Sequence, residues 1–232
     1  MRILAVDTAA ETYSVALAED GVLVVEMNGN RARTHARHVM RAVEALYAQA
    51  GVGPKDLDGL AVTIGPGSFT GLRIGVATVQ GLATALELDV APVMTLDVLA
   101  AQAGGMGDTV WAAMDARRGQ VYVARYYFTS LGMEKPEPEK ALDPHRWLQD
   151  VAPRDLLVGD GVAAYRELVG KCMGPAVRVA PESANMPRAA TVARLGQAVF
   201  ERGAGLAPDR LEPVYLRQSD AEAACKKGHE NR

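Results

Sequence analysis

The chain lacks much of what several protein classes require. Only two cysteines, Cys172 and Cys225, occur in 232 residues. They lie far apart and outside any Cys-x-x-Cys pattern, so they read as unpaired thiols of a reducing cytoplasm, and neither reads as a nucleophile. No apolar run approaches the ~20 residues needed to cross a bilayer, so no membrane association is expected. The opening Met1–Val6 looks superficially like a leader, but it is too short and Asp7 interrupts it, so a core strand is expected there. There is no excess of positive charge: 25 basic against 28 acidic residues give a net charge of -3. That argues against a protein that grips nucleic acid over a broad basic face.

What is present is ordinary globular composition, 49% apolar and 23% charged, in a length that suits one large domain or two lobes of roughly 100 residues each. The most informative stretch is Gly65-Pro66-Gly67-Ser68-Phe69-Thr70-Gly71-Leu72-Arg73-Ile74-Gly75. It follows the apolar run Leu60–Ile64 and leads into the helix-like run Ile74–Leu86. A strand, a glycine turn and a helix in that order make a common anion site, because backbone N–H groups and the helix dipole converge there. The spacing fits neither a P-loop nor the Rossmann turn. A turn this rich in glycine can equally exist to let backbone pass close to backbone.

The rest of the pattern predicts strands at 2–7, 12–18 and 22–27, a helix over about 35–50, a strand at 57–64, a helix over 69–86, a strand at 90–94 and a helix over 96–103. This βββαβαβα order, three antiparallel strands followed by helix-alternated parallel ones, implies an α/β fold with a ribonuclease-H-like mixed sheet. Gly104–Asp108 is the expected linker, which makes residues 1–103 the first lobe and 109–220 a smaller α/β second lobe. Residues 221–232 form a polar tail. In the second lobe, strands are expected at 109–115, 121–128 and 156–158, with helices over 162–169 and 189–202. A solvated loop is expected at 134–139.

A strand ending in Asp7, a hairpin, and a later strand–glycine–helix suggest the two-lobed fold of actin, Hsp70 and sugar kinases. Four segments are more specific: Leu4-Ala5-Val6-Asp7-Thr8-Ala9, the Gly65–Gly75 stretch, Met114-Asp115-Ala116-Arg117-Arg118-Gly119-Gln120-Val121-Tyr122 and Pro213-Val214-Tyr215-Leu216-Arg217. Together, over residues 1 to about 220, they resemble the bacterial TsaB family, also called YeaZ. The resemblance implies a non-catalytic subunit that binds and activates TsaD. TsaD transfers a threonylcarbamoyl group to the adenosine beside the anticodon of tRNAs reading codons that start with A. It further implies TsaE as a third, ATP-hydrolysing component, a homodimer when the chain is alone, and tRNA contact only through the complex. ATP or ADP and the metal would sit on the partner subunits, with no cofactor of the chain's own.

The residues bear on that implication. Where a TsaD-type site carries its His-x-x-x-His pair, this chain reads Val93-Met94-Thr95-Leu96-Asp97, with no histidine. One carboxylate does not hold a transition metal, so Asp97 is expected to help start a helix capped by Thr95. His35 and His38 could share a helix face, but Arg31, Arg33, Arg37 and Arg41 crowd them and disfavour a cation. Thr34 is the expected cap of that helix, and the arginines could meet a partner or tRNA phosphate. Asp7-Thr8-Ala9-Ala10-Glu11 lacks the glycines of a working phosphate loop and adds a negative charge beside it. That weighs against the alternative reading, a small ATP-dependent kinase of the same fold.

Ile74–Leu86 contains no charged residue at all, although a helix on a sheet should show a polar outer face. Gly71, Ile74, Gly75, Thr78 and Leu82, with Val39, Met40, Val43, Leu46 and Tyr47 of the preceding helix, are therefore expected to form a flat partner-binding patch. The other reading has a further part of the chain cover them. Arg73, Arg117 and Arg118 are the candidate contacts for an anion or a partner.

Overall fold

The computed structural model describes residues 1–30 and 35–217. The chain opens with β1 (Arg2–Asp7), β2 (Thr12–Glu19) and β3 (Val22–Asn30), an antiparallel meander, then α1 (His35–Ala50). It continues through β4 (Gly59–Gly65), α2 (Phe69–Leu86), β5 (Val90–Met94) and α3 (Thr95–Ala103). The first sheet runs β3-β2-β1-β4-β5, with β4 parallel to both β1 and β5. The expected order holds element for element in this lobe, because each strand there is either an alternating hairpin strand or a short buried run between helices.

The two faces of the first sheet carry different cores. Leu4, Val6, Leu60 and Val62 pack under α1 and α2, against Val39, Val43, Leu46, Val76 and Val79. Ile3, Ala5, Ala61 and Ala91 point the other way. Alternate residues of one strand thus serve opposite layers, as period-two geometry requires.

The second sheet is built from β6 (Thr109–Arg117), β7 (Gln120–Thr129), β8 (Gly132–Glu134), β9 (Lys140–Leu142), β10 (Leu156–Val158) and β11 (Arg178–Val179). Its order is β11-β10-β6-β7-β8, with β9 also on β7. Around it lie α4 (Pro144–Leu148), α5 (Asp160–Ala164) and α6 (Arg166–Met173). The single helix expected over 162–169 is two short ones, broken at Tyr165. The expected loop at 134–139 is tied down: Lys135 bridges Asp97 and Glu139. Neither α4 nor β11 was expected; α4 buries Trp147 completely against the second sheet.

The last helix, α7 (Ala189–Glu201), departs from the expected division at 109–220. It lies on the first sheet, where Ala189, Val192 and Ala193 cover Ile3, Ala5, Ala61 and Ala91. The face opposite α1 and α2 would otherwise expose a row of small apolar side chains, so the chain returns to close it. Between the lobes sits α3. Its Val98 joins the core under α7, while Leu96, Leu99 and Ala100 join the core of the second sheet with Val110, Ala112 and Tyr126. One buried helix shared by two cores makes the lobe junction apolar and continuous rather than a flexible hinge.

Candidate functional site

The glycine turn is filled by the chain itself. The β1–β2 loop enters it, and the backbone N–H of Ser68 donates to the carbonyl of Ala9 at 2.7 Å. The Thr8 hydroxyl donates to the carbonyl of Gly71 at 2.8 Å. A Cβ at Gly71 would stand 2.0 Å from the Thr8 carbonyl oxygen, and one at Gly75 2.3 Å from Thr8 Oγ1. Of the two readings of this stretch, close backbone approach is the one the geometry carries. Beside it Asp7 is fully buried. Its Oδ1 accepts from Thr63 Oγ1 at 2.6 Å and from Ala9 N at 3.3 Å. Burial pushes this carboxyl up to about 7, against the pull of those two donors.

Across the lobe junction, the β6–β7 turn places Arg117 and Arg118 in left-handed backbone conformation, φ 60° and 53°. Arg117 Nη2 reaches Glu11 at 2.8 Å, and its Nη1 lies 3.3 Å from Asp115. Asp97, in the first turn of α3, caps nothing. It accepts from the Tyr126 hydroxyl at 2.8 Å and pairs with Lys135 at 2.9 Å, while buried Thr95 Oγ1 finds no partner among the described residues. For Asp97 the cause is tertiary: partners 29 and 38 residues away outrank the local bond.

The remaining feature is the outer side of α2. Ser68 caps the helix, its Oγ accepting from Gly71 N at 3.2 Å. Leu72, Val76, Val79 and Ala83 are buried inward. Arg73 is the helix's one charged residue. Outward, Phe69, Thr70, Arg73, Ile74, Ala77 and Thr78 line a shallow depression of about 420 Å³. Gly81, Thr84 and Ala85 continue the exposed face.

The C-terminal segment borders this depression. The Gln80 side-chain amide donates to the carbonyls of Pro208 and Leu211 at 3.0 and 2.9 Å, and Leu211 is buried in the core beneath. Val214 N donates to the Ile64 carbonyl at 2.7 Å. The Tyr215 ring then packs on Phe69 at a 35° tilt, 4.7 Å between ring centroids. Arg217 reaches over to the Ala116 carbonyl at 3.0 Å in the second lobe.

Set against expectation, the ten patch residues divide. Val39, Val43, Leu46, Gly71 and Gly75 are buried, the first three under the sheet and the glycines against Thr8, so none of them can meet a partner. The helical period that flagged them as apolar is the period of the core face. Met40, Tyr47, Ile74, Thr78 and Leu82 are partly exposed and remain available. Phe69, Thr70, Ala77 and Tyr215 belong to the surface although they were not among the expected patch residues. Arg73 lies at the depression, whereas Arg117 and Arg118 lie at the lobe junction. His38 stacks on Tyr13 with centroids 6.2 Å apart. Arg31, Arg33 and Thr34, and Cys225 with the polar tail, lie outside the described residues; Cys172 is exposed and free. No helix among the described residues is long and apolar enough to cross a membrane.

Two lobes of mixed sheet, a hairpin-led first strand and a glycine turn feeding α2 place the protein in the structural class of actin, Hsp70 and sugar kinases. The activator of the 2-hydroxyisocaproyl-CoA dehydratase from Clostridium difficile shares this fold at TM-score 0.53 and 12% identity, over 92% of this chain and 99% of its own. Within the class the likeness narrows. YeaZ from Pseudomonas aeruginosa matches at TM-score 0.78 and 32% identity, over 93% of this chain and 99% of that one. The tRNA threonylcarbamoyladenosine biosynthesis protein TsaB of Escherichia coli K12 is 36% identical over 95% of this chain and 96% of its own. The family model described as TsaD, tRNA N6-adenosine threonylcarbamoyltransferase, matches residues 29–225. The chain belongs to the TsaB family.

Proposed function

We propose that the chain is a non-catalytic subunit of tRNA threonylcarbamoyladenosine biosynthesis that docks on, and activates, a TsaD-type threonylcarbamoyltransferase through the outer face of α2. One observation carries the reading: an exposed 18-residue helix bears a single charge and lines an open depression on its solvent side. Leaving that face to water is unusual for a helix on a sheet, and covering it with another subunit removes the cost. The self-filled glycine turn supports the non-catalytic half, since the backbone that would cradle a phosphate is already engaged by Thr8 and Ala9. Nucleotide and metal then belong to the partner subunits, with TsaE as the third component. tRNA is met through the assembly, and the same face pairs two copies when the chain is alone.

The test is to mix the purified chain with the transferase of the same cell and size the product by light scattering. Ala77→Arg and Gly81→Arg run in parallel; Ala77 is exposed, and a Cβ at Gly81 meets nothing within 4 Å, so both variants fold. A one-to-one complex that both substitutions abolish is the expected result. No complex under any nucleotide condition, or MgATP turnover by the chain alone, overturns the reading in favour of a kinase.

A further inference from the structure

Arg73 is held in an unusual way for an exposed arginine. Its guanidinium lies over the Phe69 ring, 3.9 Å from the centroid, and its Nε donates to the Tyr215 hydroxyl at 3.2 Å. Phe69 and Tyr215 in turn pack against each other with their rings tilted by 35°. Tyr215 comes from a segment 142 residues away, fixed in place by Val214 and Gln80. Compare Arg2, Arg178 and Arg188, each of which pairs with a carboxylate of the fold. Arg73 forms no such pair among the described residues, no hydrogen bond of its two terminal nitrogens is found there, and the residue lines the depression.

This arrangement constrains whatever covers α2. A planar guanidinium stacked on an aromatic ring and bonded through Nε presents its Nη edge in a fixed direction, the fork that a carboxylate accepts with two bonds. The side-chain entropy of the arginine is already spent, so a ligand for that edge loses less on binding. Conversely, an uncharged surface closing over the depression would strip water from a cation that has no carboxylate partner, which opposes docking. The rest of the lining offers no compensating acid: Phe69, Thr70, Ile74, Ala77 and Thr78 are all uncharged.

We infer that Phe69, Arg73 and Tyr215 form an anchor that receives an aspartate or glutamate side chain of the partner transferase, setting the orientation of the docked subunit. This rests on the docking face proposed above and adds to it the chemistry of the contact. It also gives the C-terminal segment a task beyond closing the core, since Tyr215 builds one wall of the anchor.

The test is calorimetric titration of the unmodified chain, Arg73→Gln, Arg73→Lys and Tyr215→Ala into the purified transferase at low and high salt, with thermal melting of each chain alone. Expected for Arg73→Gln is a rise in Kd on the order of tenfold to a hundredfold and a shallower salt dependence. Arg73→Lys keeps the charge but not the fork and recovers only part of the affinity; Tyr215→Ala falls between. The melting temperatures of the two Arg73 variants stay with that of the unmodified chain, because Arg73 is exposed. If Arg73→Gln changes Kd by less than about threefold, as an ordinary rim charge would, or leaves the salt slope unaltered, the anchor is refuted while the docking face stands. An effect on self-association alone also refutes it. If the unmodified chain forms no complex, the docking face itself fails.

Discussion

Thr63 donates its hydroxyl to Asp7 Oδ1 at 2.6 Å, while Oδ2 of the same carboxyl, equally buried, meets no partner among the described residues. A buried carboxylate with one bare oxygen is poorly solvated, and this drives the carboxyl up from 3.8 to about 7.

The consequence for stability has a definite sign. In the unfolded chain Asp7 loses its proton near its ordinary value; in the folded chain it keeps it until about pH 7. Between those values the folded state holds more protons, so stability falls as pH rises, by up to ~4 kcal/mol, and levels off above pH 7. Asp7→Asn keeps the acceptor for Thr63 and cannot ionise. Its urea midpoint is expected to be flatter from pH 4.5 to 7.5 and higher than that of the unmodified chain at pH 8. Parallel pH profiles for the two chains would show that Asp7 is not the source.

The glycine turn yields a graded prediction. A methyl at Gly71 meets the Thr8 carbonyl at 2.0 Å, so backbone must move; a methyl at Gly75 meets only Thr8 Oγ1 at 2.3 Å. Overpacking costs typically 1–3 kcal/mol, and at Gly75 the better helix propensity of alanine returns about 1 kcal/mol of it. Gly71→Ala is therefore expected to destabilise much more than Gly75→Ala. Adding Thr8→Ala should rescue the second and not the first. Equal rescue of both, measured by thermal melting, would mean the turn is held by something other than this loop.

Charge at the lobe junction is expected to matter little for folding. The Arg117 and Glu11 side chains are 70% and 69% exposed, despite their 2.8 Å contact. Exposed pairs of this kind contribute ~0–1 kcal/mol. The junction is held instead by α3, whose Leu96 and Leu99 are fully buried in the core of the second sheet. Glu11→Gln should leave the melting temperature nearly unchanged, whereas Leu99→Ala should cost ~2–5 kcal/mol. A large loss from Glu11→Gln would reassign the junction to electrostatics.

These contrasts show which parts of the molecule could be read before folding. The first lobe could, because its strands and helices announce themselves by period, and because α2 is conspicuous for having no charge after Arg73. The direction of individual side chains could not. Val43 and Gly75 sit on helices that do border the surface, yet their own positions point inward, and apolar character alone does not separate the face under the sheet from the face above it. The return of α7 to the first sheet was hidden for a different reason: strand and helix periods are local, and nothing local says which sheet a helix will cover. Asp97 and Tyr215 make the same point at the site, since both take their meaning from partners distant in sequence.

Gln80 is the clearest case of a residue that acts through such distance. Its amide supplies both donors that hold the carbonyls of Pro208 and Leu211, and the segment it holds carries Tyr215 to Phe69 and Arg73. Gln80→Leu removes both donors, leaving the Pro208 carbonyl with only its turn bond from Leu211 N and the part-buried Leu211 carbonyl without this donor, at about 1–3 kcal/mol. Gln80→Glu does more harm, because an ionised carboxylate then faces two other acceptors. That variant should recover toward the leucine one at acid pH, where its carboxyl can carry a proton and donate again. Hydrogen exchange at the Val214 amide, which donates to Ile64 at 2.7 Å, reads the segment directly. It is expected to quicken in the order unmodified, Gln80→Leu, Gln80→Glu at pH 8. If Gln80→Glu exchanges and melts like the unmodified chain, the segment is held by Leu211 burial and the Val214–Ile64 bond, and the position of Tyr215 owes nothing to Gln80.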